Sequence, residues 1–433
     1  MKRHLLAALL LTLPAAASGQ TAIPVSKFVV SGITVIQKPV TANDVVAVRL
    51  YLKGGSAALT PATAGIERMV AEVATHGTEK YSRDQFADLA TSTGTELGSQ
   101  TDYDYTVFTA QAVRQNWNEA WDLFTQAALH PTFPADEVEQ VQAQMLDALK
   151  QNHDLADPHL NELADSMLYA GHPYAVDPEG TVEAVSKFTR DDLAQWHKRR
   201  MTKANLLLVV VGNVPRADLV ARVTAAFGSL PPTGGEASAA APLTTTKRDL
   251  LVVSRQLPTN YIMAAYAAPG PVSPDFTAFR VATRILSERL FEEVRTKRNL
   301  TYAVAASMST RAVNRGTLYV TATQPDTTIK VMLSEVRKIR DEAVPAGRLG
   351  QSVNVFLTAY LMSQQTNMGQ GAELGHWELV GGAWENQGKF IARLRTVTPQ
   401  DIQRVARQYF QNAVFVVIGD KAKIDRGLFT SLE

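Results

Sequence analysis

The apolar positions of residues 54–78, GGSAALTPATAGIERMVAEVATHGT, predict one amphipathic helix: Ile66, Met69, Val70, Val73 and Ala74 recur at i, i+3, i+4, i+7 and i+8. Pro61 stands near the expected helix start, and Gly77 where a helix of this length stops. That stripe predicts a buried face. The opposite face carries Arg68, Glu72 and His76, each one turn from the next, the spacing by which a helix aims two side chains at one ligand.

The flanking pattern places strands and helices in groups. Residues 28–40, turning at Ser31 and Gly32, and residues 45–52 are rich in β-branched and aromatic side chains and predict strands. Downstream, helical periodicity predicts helices over 84–92, 116–129, 135–152 and 157–169, with strand character returning over 95–112. The stretch GHPYAVDPEGT, residues 171–181, reads as a loop broken by Pro173, Pro178 and Gly180. Over residues 188–214 a helix capped near Thr189 leads into a strand at 206–211, and the same order recurs over 397–421. Asp192 matches Asp401 and Gly212 matches Gly419, at offsets of 209 and 207 residues, which argues for an internal duplication.

In the second half, strands are predicted at 250–253, 261–266, 302–308 and 316–323, and helices at 276–297, 329–341 and 347–364. The glycine-rich stretch 369–388 can contact an extended substrate or connect two helices, and reads better as a connector. Residues 230–246, LPPTGGEASAAAPLTTT, have a composition that does not pack a core and are expected to be a flexible linker. The expected fold is therefore α+β: two homologous duplicated domains at 20–229 and 247–433, each a mostly antiparallel sheet packed with helices.

Composition narrows the class. With 433 residues, 45% hydrophobic and 20% charged, the chain is an ordinary globular protein too long for one core. A net charge of +1 gives no reason to expect nucleic acid or an anionic membrane as partner. No cysteine occurs, which excludes disulfides and a lipid-attachment thiol. At the start, Lys2 and Arg3 precede an apolar run over 5–13, then Pro14 and small residues; residues 1–19 read as a secretory signal peptide, so the expected location is periplasmic or extracellular.

A metal-dependent hydrolase built on the helix at 66–74 needs two imidazoles one turn apart and a glutamate to take a proton from bound water. Arg68, Ala71 and Glu72 stand at those positions. A guanidinium has no lone pair for zinc, and an alanine is no base.

In their order and spacing, GITVIQKP, AGIERMVAEVATHGT, HPTFPADEVEQVQAQMLDALK, GHPYAVDPEGT, LLLVVVGNV and LFEEVRTKRNLTYAV resemble the pitrilysin-type zinc metallopeptidases, the family of insulinase and mitochondrial processing peptidase. The resemblance runs over nearly all the mature chain and implies the same duplicated α+β fold. Active members carry HxxEH and a later glutamate ligand. Carried over, the histidines fall at Arg68 and Glu72, the base at Ala71 and the later ligand at or beside Ala148, and no other register offers HxxEH. The resemblance thus implies a non-catalytic chain without cofactor, zinc being expected only in a partner.

In two-chain members, the zinc-free subunit supplies an arginine and a tyrosine that hold the substrate's scissile carbonyl in the partner's site. The matching residues are Arg295 and Tyr302 in VRTKRNLTY, where Asn299 replaces the family's usual glycine and tolerates its left-handed backbone. The implied partner is an HxxEH-bearing homologous peptidase subunit acting on peptides. The alternative is a structural or peptide-binding scaffold with no hydrolytic partner. Plainer readings stand beside these. Arg68, Glu72 and His76 can form a solvated face of ion pairs worth roughly 0.3–0.5 kcal/mol each. Glu72, His76 and Asp147 can form an oxygen-rich remnant metal site that lacks a base. Arg295 and Tyr302 can be ordinary residues at a helix-to-strand turn.

Overall fold

Ser31 and Gly32 both adopt left-handed backbone, with φ of 50° and 87°, and fold the first strand back onto the second. The computed structural model describes residues 24–235, 241–243, 248–430 and 432; the expected signal segment at 1–19 lies outside these residues, as do 236–240 and 244–246 of the expected linker. The first half runs β1 (Ser26–Val30), β2 (Ile33–Lys38), β3 (Val45–Lys53), α1 (Ile66–Val73), α2 (Arg83–Thr93), β4 (Glu96–Thr101) and β5 (Tyr105–Val113). It continues through α3 (Trp117–Leu129), α4 (Ala135–Asp154), α5 (Ala156–Leu168), α6 (Val182–Val185), α7 (Arg190–Arg200), β6 (Leu206–Val211) and α8 (Arg216–Phe227).

The second half runs β7 (Asp249–Ser254), β8 (Asn260–Ala267), α9 (Phe276–Leu290), β9 (Val304–Met308), β10 (Arg315–Ala322), α10 (Pro325–Asp341) and α11 (Ala346–Ser363). It ends with α12 (Asn367–Leu379), α13 (Asn386–Leu394), α14 (Pro399–Tyr409) and β11 (Val414–Gly419).

The sheets have the orders β1-β2-β6-β3-β5-β4 and β7-β11-β8-β10-β9, and they superpose in topology once β1 is set aside. Each contains one parallel pair, β2 with β6 and β7 with β11, among antiparallel neighbours. The two repeats also share a cap: Thr189 and Thr398 each exchange hydrogen bonds with the aspartate three residues on, Asp192 and Asp401. The expected α+β duplication is the fold observed.

β6 reads LLLVVV and is buried throughout because both its faces are covered. Leu206, Leu208 and Val210 join the core beneath α3 and α8, whereas Leu207, Val209 and Val211 face a second core that includes Leu374 of α12. α12 belongs to the other half. The exchange is mutual, since Leu160, Ala164 and Leu168 of α5 pack on Met263, Ala265, Val414 and Val416 of the second sheet.

Residues 369–388 do not form a mere connector; they supply most of α12 and the start of α13. Gly375 makes that docking possible: a Cβ there would lie 2.2 Å from the ring of the fully buried Tyr51. α1 is also shorter than expected. Pro61 opens a separate 3-10 turn, and α1 starts at Ile66 after Gly65, whose φ is 87° and whose missing Cβ would fall 2.7 Å from Gly180 Cα.

Described residues of the expected linker touch the first half and the shared core. Leu230 packs on the first core and Leu243 on the core shared with α5. Pro231 and Pro232 accept backbone hydrogen bonds from Lys203 and Ala204.

Candidate functional site

The apolar stripe of α1 is buried as expected, and Ala71 and Glu67 are buried with it. On the other face Arg68 donates from Nε to Glu72 Oε1 at 2.8 Å and pairs through Nη1 with Glu179 Oε2 at 2.8 Å. Burial acts to lower the Arg68 pKa, but Glu179, Glu72 and Asp177 together hold it above the ordinary arginine value. His76 lies beyond the helix and pairs with Glu137 Oε2 through Nδ1 at 2.9 Å, and Arg83 pairs with the same carboxylate. Between α1, α4 and edge strand β4 lies a pocket of about 270 Å³ lined by Ala71, Glu72, His76, Gly98, Phe108 and Gln144. Ala148 sits half-buried on α4 one turn beyond Gln144, and Asp147 beside it is exposed. Among the described residues no group of three or more histidines, aspartates and glutamates is placed to hold a metal ion.

In the second half, α9 runs into a turn of π-helix, Phe291–Thr296, which Asn299 ends in left-handed backbone at φ 50°. Asn299 N–H donates to Arg295 O and Leu300 N–H to Val294 O, both at 3.0 Å. The Arg295 guanidinium lies 5.0 Å from the Phe291 ring centre and 4.6 Å from that of Tyr302. Tyr302 is 81% exposed and Phe291 47%.

Every other charge along this turn is paired. Lys297 binds Glu292 at 3.0 Å and Glu293 at 2.6 Å, Arg298 binds Glu293 at 2.6 Å, and Arg348 binds Glu292 at 2.7 Å. Hydrogen bonds from Lys297 and Arg298 hold the Glu293 carboxyl down at about 2. Among the described residues Arg295 has neither an ion pair nor a side-chain hydrogen bond, so its donors are free for a ligand. The structure thus brings Arg295 and Tyr302 together, and brings Arg68 and Glu72 together. No hydrogen bond or ion pair among the described residues joins the two clusters.

Residues 34–177 match the family described as Insulinase (Peptidase family M16), and residues 187–356 match the Peptidase M16 inactive domain. The chain belongs to the M16 peptidase family. An uncharacterized zinc protease of Mycobacterium tuberculosis is 24% identical over 388 residues, covering 87% of this chain and 88% of that protein. Among solved structures, an M16 inactive domain from Pseudomonas fluorescens superposes with a TM-score of 0.85 at 18% identity, covering 92% of this chain and 98% of that one. The first half of the periplasmic protease PqqL from Escherichia coli gives 0.75 at 16% identity, covering 94% and 96%.

The zinc expected of an M16 peptidase does not fit the residues at α1. Arg68 is a cation already paired to two carboxylates, Glu72 Oε1 is taken by Arg68, Ala71 carries no base, and Ala148 no ligand. A buried charge that the sequence did not single out is Glu67, which is bound at Oε1 by Arg200 Nε at 3.0 Å with both side chains buried. Thr106 Oγ1 donates to Glu67 Oε2 at 2.9 Å, and Arg200 also donates to the carbonyls of Lys53 and Gly235. Burial pushes the Glu67 carboxyl up while Arg200 draws it back. The clue was available: Glu67 stands three and four residues before Val70 and Ala71, on the buried side of the helix.

Proposed function

We propose that this chain is the zinc-free subunit of an exported two-chain M16 peptidase. Arg295 and Tyr302 reach into the active site of an HxxEH-bearing homologous partner, where they hydrogen-bond the scissile carbonyl of a bound peptide. The free Arg295 guanidinium, fixed between two aromatic rings while every charge around it is paired, carries this reading. A fixed guanidinium and a phenol hydroxyl suit the oxyanion of a tetrahedral intermediate, and stacking sets their positions before substrate arrives. The chain's own α1 supplies neither metal ligands nor base, so bond cleavage belongs to the partner. Export is supported by the signal-like N-terminus and by the likeness to the periplasmic PqqL.

The test is peptide cleavage by the complex with its HxxEH partner. Arg295→Ala is expected to slow turnover about a hundredfold, on the order of 3 kcal/mol, with Tyr302→Phe affected in the same direction and assembly unchanged. Unchanged turnover in both intact complexes would remove these residues from the site and favour a scaffold.

A further inference from the structure

Arg280 of α9 is a second cation without an answering group. Its guanidinium carbon lies 5.8 Å from the ring centre of Phe276, 5.7 Å from Phe356 of α11 and 5.5 Å from Phe390 of α13. Among the described residues its side chain has no ion pair and no hydrogen bond. Its nitrogens are nevertheless absent from the sealed, unpartnered polar atoms of the interior, which lie at residues such as Ser56, Tyr266 and Arg340. The guanidinium itself is therefore walled by rings, while its nitrogens keep contact with solvent-accessible space.

The surroundings leave that fork open. Glu373 of α12 attracts Arg280 but accepts instead from Trp377 Nε1 at 3.3 Å and Gln387 Nε2 at 3.4 Å. His376, three residues on, has its pKa pushed down to about 4 by burial, with Arg280 adding to the effect against Asp102. It is neutral at pH 7, and its Nδ1 lies 3.4 Å from the hydroxyl of Tyr105 on β5. Among the described residues no carboxylate forms an ion pair with Arg280, and Glu373 is the charge that acts on it from a distance.

A guanidinium fork matches a carboxylate with two parallel hydrogen bonds, and the attraction grows where aromatic walls displace water. Burial beside the rings lowers the Arg280 pKa, so the charge is held at a desolvation cost that a bound carboxylate offsets. We propose that Arg280, framed by Phe276, Phe356 and Phe390, binds a carboxylate carried by a peptide. The carboxylate is either a free C-terminus or an aspartate or glutamate side chain. This site is independent of the partner subunit, and its test needs only the full-length chain.

Fluorescence anisotropy at pH 7 and low salt is measured with three forms of one short labelled peptide. One has a free C-terminus, one is amidated and free of acidic residues, and one is amidated with an internal aspartate. One of the carboxylate-bearing forms is expected to bind at least about tenfold more tightly than the neutral form. Preference for the free terminus assigns the terminal carboxylate, and preference for the aspartate form assigns a side chain. Arg280→Met, which removes a charge from an aromatic wall and keeps the stem, is expected to abolish the preference, and Arg280→Lys to reduce it. Equal binding of all three peptides to the wild-type chain overturns the proposal without reference to any variant. A preference that survives in the folded Arg280→Met chain overturns it as well.

Discussion

α1 follows β3 and leads toward the edge strand β4, and α9 follows β8 and leads toward the edge strand β9, so the two helices occupy equivalent places in the two repeats. Their charges are arranged in opposite ways. Around α1 the charges are paired within the chain: Arg68 with Glu72 and Glu179, His76 with Glu137, and Glu67 with Arg200 in the interior. Around the π-turn after α9 the same pairing is complete except at Arg295, which rests on two exposed rings. Pairing makes such a face scaffold, because each partnered group has given up the lone pair or donor that a ligand needs. Leaving one cation open, while neutralising the carboxylates that would otherwise capture it, does the reverse.

The largest effect expected from breaking this contrast is at the buried pair. Arg200→Leu leaves Glu67 buried without its partner and frees two carbonyls, and is expected to cost about 3–5 kcal/mol of stability by urea denaturation. The double variant Glu67→Gln, Arg200→Met is expected to recover much of that loss, because the isolated charge is gone. A loss below about 1 kcal/mol for Arg200→Leu would mean that α1 is held by its apolar stripe alone.

A smaller effect tests how Tyr302 is presented. Asn299→Val forces a β-branched residue into left-handed backbone and is expected to cost about 1–2 kcal/mol, whereas Asn299→Gly is tolerated. Equal stability of both variants would show that the turn is not fixed by this residue.

How far the chain could be read from its sequence follows from which interactions are local. The caps at Thr189 and Thr398, the stripe of α1 and the strand at 206–211 are set by neighbours a few residues away, and they were legible. Asn299, standing where relatives use glycine, pointed correctly to left-handed backbone. α12 was not legible, because glycines at 369, 371 and 375 argue against a helix by propensity. What overrides that propensity is tertiary: Gly375 allows the helix backbone to rest against Tyr51, which lies 324 residues earlier in the chain. The pairing of Glu67 with Arg200 likewise spans 133 residues. The free states of Arg295 and Arg280 could not be read at all, since they depend on where every neighbouring carboxylate ends up.

Acidity separates the halves further. Burial raises Asp104 and Asp177 in the first half to about 6, while Lys297 and Arg298 hold Glu293 in the second at about 2. A raised carboxyl stabilises the fold below its unfolded value near 4, and that contribution is lost as pH rises through 6. The lowered Glu293 acts in the opposite sense, stabilising above its unfolded value and failing only as pH falls through 2. Stability measured by urea is therefore expected to fall by about 1 kcal/mol between pH 5 and pH 7.5, after discounting for partial exposure. Asp104→Asn is expected to flatten that slope, and an unchanged slope would move the titration to other groups. Asp104 accepts from Tyr174 and from the backbone of Ala312, so this titration sits at the contact between the two repeats.

The smallest effect is expected at the polar face of α1. Arg68 is part-exposed, and its pairs with Glu72 and Glu179 lie at the rim, where solvent screens them; Arg68→Ala is expected to cost only about 0.5 kcal/mol in thermal unfolding. Placing histidines at Arg68 and Glu72 together is expected to cost a similar amount and to produce no zinc-dependent cleavage. Two imidazoles one turn apart can hold a metal, but Ala71 still provides no base to activate its water, and Ala148 no further ligand. Metal analysis and peptide cleavage by this double variant, with and without chelator, check the point. Chelator-sensitive cleavage would mean that α1 retains more of a catalytic frame than its four substituted positions allow, and would narrow the difference between the two repeats to the identity of two side chains.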